Sequence, residues 1–334
     1  MVLSTTNMEV SSCDLGNVLK ISVNVSNFAE TKQILIMKRI SAITLGVLVL
    51  ASCSQTKTGS ENNCEACNAD SVATEAVGSF KVCDFDNFKL HIYLTDDEMA
   101  DASFIVEGQD SLVTLEQPLF TANASEYDAY LAGLNKPVAA RIADFHLGNT
   151  GADTIIMPAG MPEVVKGPQY SGMMSHFAEV YGDKIVALPT GYAVEMDFDN
   201  AFTEAGVPFT FLKGASNDFP GANILIGGDV VYSHWAPAKA HVNNLYASDM
   251  AGVDARIAEL EQILGTGATL YVGGHGAPAT ADDVRFRIGY LNKVKELRAS
   301  QPDAASFVTA LEEAYPGLPG EEGVKAFAEA IYAE

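Results

Sequence analysis

The sequence predicts one mixed α/β domain spanning residues 79–334, and three observations carry that prediction. Short runs of β-branched and aromatic residues alternate with stretches of helical periodicity from about residue 79 onward. Capping-type clusters of Ser, Thr, Asn, Asp and Glu stand before two of the helical stretches. Hydrophobic residues make up 48% of the 334 and charged residues 19%, which is enough apolar material for a large core. No internal repeat and no linker divides the domain.

The elements follow in order. Strands are expected at 80–83, 88–93, 104–106 and 112–115. Asn123-Ala124-Ser125-Glu126 looks like a capping box opening a helix through Tyr127, Tyr130 and Leu134. Strands are expected next at 138–142 and 154–157, then a helix near 172–181. Further strands are expected at 192–196, 209–212 and 224–226. A helix bearing Ile257, Leu260 and Leu264 leads to a strand at 268–272. Thr280-Ala281-Asp282-Asp283 caps a long helix that carries Val284, Ile288, Leu291 and Val294 on one face. Helices near 304–314 and 322–333 close the chain.

Twenty basic against 43 acidic residues give a formal charge of −23. So acidic a surface repels phosphate backbones, which excludes nucleic acid as a partner and leaves a small-molecule ligand or substrate. The oligomeric state is left open. The N-terminal part carries an address instead. Lys38 and Arg39 precede an apolar run at 40–50 that is too short to span a bilayer and ends in Leu50-Ala51-Ser52-Cys53. That tetrapeptide resembles the lipobox of bacterial lipoproteins. The resemblance implies export, acylation of Cys53, and anchoring to the membrane of the cell envelope, on its periplasmic or surface side. Residues 1–53 are thus expected to be leader and signal, with Met37 as the true start, and 54–78 a polar tether. Cys64 and Cys67 in the tether are expected to form a structural disulfide or an inert pair rather than a redox centre.

The chemistry depends on rare polar groups at strand ends, where α/β folds place binding residues. His146, His234 and His275 all lie at or just after strand-like runs, and Asp229 follows one in Ile226-Gly227-Gly228-Asp229. Met157, Met161, Met173 and Met174 read as core filling. His91, His176 and His241 belong to no constellation.

The order Asp144-Phe145-His146-Leu147-Gly148-Asn149-Thr150-Gly151, Gly228-Asp229 and Gly274-His275-Gly276 resembles the metallo-β-lactamase fold superfamily. The segments 103–107 and 111–117 are similar to that family's first hairpins. The resemblance implies an αββα sandwich with extra C-terminal helices and a metal site along one edge. The family's first motif, His-x-His-x-Asp-His, is eroded here. Asp144 stands at its first histidine, His146 is kept, Gly148 replaces its aspartate and Asn149 its last histidine. Ser216 takes the place of the next histidine. Asp229 and His275 match the bridging aspartate and the final histidine. Two ions therefore lack ligands, and at most one divalent ion (zinc, manganese or iron) is expected, or none. The implied ligands are Asp144, His146, Asp229 and His275, an oxygen-rich set that favours harder ions. His275 is a ligand or proton donor, His234 a general acid or base, and Asn149, Ser216, Asp218 and Trp235 line the cleft. Two functions remain open. One is a membrane-anchored hydrolase of small ester, thioester, amide or phosphate bonds. The other is a non-catalytic lipoprotein that binds a ligand in the same cleft.

Overall fold

The computed structural model describes residues 11–12, 77–148, 153–187, 193–214 and 221–333. The described residues all belong to one compact unit. Cys53, Cys64, Cys67, Asn149, Ser216 and Asp218 lie outside the described residues. Cys83, 1% exposed, is disulfide-bonded, and its partner lies outside them too.

Two sheets face each other. The first holds β1 (Ser11–Ser12), β2 (Ser79–Asp84), β3 (Lys89–Leu94), β4 (Ala102–Glu107), β5 (Leu112–Leu115), β6 (Val138–Ile142), β7 (Ile155–Pro158) and β8 (Ala193–Met196), in chain order across the sheet. From β2 to β5 it is an antiparallel meander, and from β5 to β8 the strands run parallel. The second sheet holds β9 (Ala201–Glu204), β10 (Val207–Lys213), β11 (Ala222–Ile226), β12 (Val230–Trp235) and β13 (Leu270–His275). Its strands are antiparallel except for β12 and β13.

Side-chain alternation assigns the faces. Leu90, Ile92, Phe104 and Val106 meet Phe209, Phe211, Ile224, Tyr232 and Val272 between the sheets. Tyr93 and Ile105 point the other way, against Tyr127 and Leu131 of α1 (Thr121–Gly133). On the far side, Val231 and Tyr271 pack under four helices: α4 (Met250–Gly265), α5 (Ala281–Ser300), α6 (Ala304–Ala314) and α7 (Glu321–Tyr332). With both faces covered, strands such as β3 and β4 are buried almost throughout, which is why they read as continuous apolar runs. Two further helices, α2 (Met161–Lys166) and α3 (Pro168–Tyr181), enclose a satellite core in which Met157 and Met161 are buried with Tyr170. None of the helices formed by the described residues is long and apolar enough to cross a membrane.

The capping box at Thr280 forms as expected. Its side chain accepts from the Asp283 amide while the Asp283 carboxylate accepts from the Thr280 amide. The one expected at Asn123 does not form. The N-cap of α1 falls three residues earlier, at Phe120, with no side-chain cap. Asn123 instead donates to the Tyr93 hydroxyl and the Thr95 carbonyl, and Glu126 accepts from the Gly78 amide and the Tyr93 hydroxyl. Tertiary partners outcompete the local cap. Strands β9 and β12 were not foreseen. The Gly227-Gly228-Asp229 segment, read as lying past a strand end, is the turn between β11 and β12. Gly227 has φ +64°, and a Cβ there would run into the Phe88 ring, so the turn needs glycine.

Candidate metal centre

One edge of the sandwich gathers the ends of four strands and the start of another. His146 follows β6, His234 and Trp235 end β12, His275 ends β13, Asp101 precedes β4 and Glu116 follows β5. The two sheets touch there through an antiparallel bridge between Asp101 and His275. Potential ligand atoms of His146, His234 and His275 all lie within 4.8 Å of one another. Their ring centroids form a near-equilateral triangle, with 5.1 Å from His146 to His234 and 4.9 Å for each of the other two sides.

Each ring has its own support. Glu116 is fully buried and is the anchor of the His146 turn. One carboxylate oxygen accepts from the Asp144 amide at 2.5 Å and the other from the His146 amide at 2.7 Å. The latter oxygen also lies 3.6 Å from His146 Nδ1. Asp101 stands 3.1 Å from His275 Nδ1 and is 5% exposed. Burial pushes its pKa up, yet the neighbouring His146 and the bond from His275 outweigh that and hold it below the ordinary value. His234 sits deepest. Burial first, then the adjoining His275, His146 and Arg256, hold its pKa well below the usual imidazole value, so the ring is neutral.

Aromatic groups enclose the triad. Trp235 stacks on His275 with centroids 4.8 Å apart, and Phe145 meets His234 edge-on at 5.5 Å. Backbone approach depends on Gly273-Gly274. A Cβ at Gly274 would stand 2.9 Å from His146 Cε1 and 3.1 Å from the Tyr232 hydroxyl. At Gly273 it would stand 2.6 Å from the Ser233 carbonyl oxygen. The repeated glycine thus lets β13 lie close enough to β12 and His146 for three imidazoles to converge. From this edge a cleft of about 1070 Å³ runs past His275 and Trp235 toward the C-terminal helices.

Comparison with solved structures places this architecture. The stereoselective inverting sec-alkylsulfatase Pisa1 from a Pseudomonas species superposes with a TM-score of 0.50 at 16% identity, over 73% of this chain and 48% of that one. The fold is that of the metallo-β-lactamases. A metallo-β-lactamase family protein from Thermus thermophilus matches with a TM-score of 0.46 at 16% identity, over 72% and 86% of the two chains. A metallo-β-lactamase from Pontibacter korlensis matches with a TM-score of 0.40 at 12% identity, over 64% and 99%. The chain therefore spans about half the length of the alkylsulfatase, 48% by the superposition. At these identities the likeness shows the fold alone. No family model and no curated protein matches the sequence.

The metallo-β-lactamase fold brings together His146, His275, His234 and Trp235 of the residues expected at the site. It does not bring Asp229 or Asp144 into the triad. Asp229 lies in the turn at the opposite end of β12, five residues before His234, or about 16 Å along a strand. The strand end that reaches the site is occupied by His234. Asp144 is fully buried and turns its carboxylate to the Ala222 amide at 3.0 Å. Burial, then the Glu116 charge, raise its pKa well above the carboxylate range, and a neutral carboxyl is a poor ligand. Asp101 and Glu116 were missed, because acidic residues do not stand out in so acidic a chain. The one signal was Glu116 itself, an acid directly after the fully buried run Leu112–Leu115. His91 and His241, which had no constellation, lie outside the triad. His91 contacts the Tyr130 hydroxyl and Glu107, and His241 the Tyr290 hydroxyl.

The triad fits a metal ion. Nitrogens around a tetrahedral ion stand about 3.4 Å apart for bonds of about 2.0–2.1 Å. The rings, spread within 4.8 Å, need only a small inward movement. His275 has a buried carboxylate 3.1 Å from its Nδ1, the second contact that commonly orients a metal-binding histidine, and the His146 turn is braced by buried Glu116 through its amides.

Proposed function

We propose that the chain is a metal-dependent hydrolase with a single metal centre, held by His146, His234 and His275. The observation that supports this reading is the convergence of three imidazoles, two of them backed by buried carboxylates, in a fold whose neighbours include hydrolases. Three imidazoles replace the oxygen-rich set expected from Asp144 and Asp229, and they suit zinc or iron better than manganese or magnesium. Three protein ligands leave one position for water or substrate. When bound, such an ion lowers the pKa of a coordinated water and polarises the substrate oxygen.

The chain's own residues do the rest. Asp101, 3.1 Å from His275 Nδ1, favours the tautomer with the proton on that nitrogen and leaves Nε2 for the ion, while Glu116 holds the turn that carries His146 through the Asp144 and His146 amides. Burial keeps His234 neutral and ready to donate its lone pair. Trp235 and Phe145 exclude water from two sides of the triad. The cleft beside them has room for a small ester, thioester, amide or phosphate substrate. Export and lipid anchoring through Cys53 belong to the same proposal. They are supported by the sequence around residues 38–53.

Elemental analysis of the purified full chain, with hydrolysis measured on a panel of activated esters, thioesters and phosphates, tests the reading. One ion per chain is expected, lost with activity in His234→Ala and His275→Ala and kept in Asp229→Ala. A metal-free, inactive chain after metal supplementation overturns it and leaves the ligand-binding lipoprotein. For the anchor, Cys53→Ser is expected to move the protein from the membrane fraction to the soluble one.

A further inference from the structure

Two arginines are buried against the Tyr246 ring, and only one is neutralised. Arg256, 5% exposed, lies 5.1 Å from the ring centroid and pairs with Glu259 at 2.8 Å. Arg287 of α5, 4% exposed, lies 5.2 Å from the same centroid and 5.8 Å from that of Tyr290. Its Nη2 donates to the Ala238 carbonyl, but Nε and Nη1 donate to nothing, and no carboxylate among the described residues pairs with it. Beside it the His241 Nε2 is also without a partner.

A buried guanidinium without a counter-charge is costly, and buried polar groups left unsatisfied are rare enough to call for a cause. Its place supplies one. Arg287 and His241 line the cleft that reaches His275 and Trp235. A short relay of hydrogen bonds ties the two ends together. Ala236 N donates to His275 O, Ala238 N to Ala236 O, and Arg287 to Ala238 O. The cation therefore sits at a fixed offset from the triad, as a reader of substrate charge should. Its planar fork suits two oxygens of one oxyanion better than a point charge does.

We infer that Arg287, with His241 beside it, is the anion-recognition element of the cleft, and that the substrate carries a carboxylate, sulfate or phosphate group remote from the bond that is cleaved. This deepens the hydrolase reading and rests on it for the word substrate, while anion binding itself is independent of hydrolysis. The test titrates the metal-loaded full chain calorimetrically with sulfate, phosphate and succinate, against chloride at equal ionic strength. One oxyanion is expected to bind in a 1:1 ratio, with at least tenfold weaker binding in Arg287→Met and at least threefold weaker in Arg287→Lys. His275→Ala is expected to retain that binding. In parallel, kcat/KM for a nitrophenyl hemisuccinate over a nitrophenyl acetate is expected to exceed ten and to fall toward one in Arg287→Met. No oxyanion binding to the unaltered chain, or equal binding in the variants, overturns the inference. Should Arg287→Met not fold, the Lys variant decides. Intact anion binding without hydrolysis of any substrate sinks the hydrolase reading and leaves the anion site standing.

Discussion

Glu116 takes φ +56°, a left-handed conformation that a glutamate adopts at a cost. The bend returns its carboxylate beneath the 144–146 turn, where it accepts from the Asp144 and His146 amides and fixes the direction of His146. Asp101 does the corresponding work for His275 from the other sheet. Asp101→Asn keeps the size of the side chain but weakens the acceptor on Nδ1. Metal affinity, measured by competition with a chromogenic chelator, is expected to fall about 10–100-fold with the fold retained. Unchanged affinity would show that the carboxylate does not orient the ring. At this scale the sequence was partly legible. His146, His234, His275 and Trp235 stood out as rare side chains near strand-like runs. Asp229 misled, because Gly-Gly-Asp suits a hairpin turn as well as a strand end, and only the pairing of β11 with β12 separates the two.

The reciprocal cap of α5 is a local device whose strength is measurable. Removing it in Thr280→Ala is expected to cost about 1 kcal/mol in urea unfolding. The cap is also sensitive to acid. Burial raises the Asp283 pKa, but the bonds from Thr280 and the charge of Lys239 more than offset this and hold it below the usual carboxylate value. A carboxylate with a depressed folded pKa lends stability above its unfolded pKa and loses it as the pH falls through the folded one. The stability gap between the unaltered chain and Asp283→Asn is therefore expected at pH 6 and to shrink at pH 3. A gap independent of pH would refute the ionised cap. The contrast with Asn123 shows what sequence can reveal about elements. A cap that uses neighbouring residues is written in the sequence. A side chain claimed by Tyr93 and Thr95, 28 to 30 residues away, is not.

At the scale of the whole molecule, strand runs and helix faces were legible because burial on both sides leaves unbroken apolar stretches. The division of those strands between two sheets became readable only through the family resemblance. The resulting edge draws candidate ligands from both sheets, with His146 beyond β6 of one and His234 and His275 on β12 and β13 of the other. An ion bound there is expected to add to global stability. Free metal at a hundred times its Kd adds about 2.7 kcal/mol. In a domain of this size that corresponds to a rise in Tm of about 5–10 °C over the chelator-treated protein, read by calorimetry. Identical melting curves with and without metal would show that no ion couples the two sheets.

The backbone bridge between Asp101 and His275 gives that edge a mechanical meaning. Elsewhere the plates of the sandwich adhere through greasy side chains that can slide or peel apart one after another. At this rim they are stitched by directional bonds, and an ion would act as a rivet driven through both. Pulled across that seam, the loaded protein should yield in one abrupt event, and the bare one should unzip gradually from the same corner.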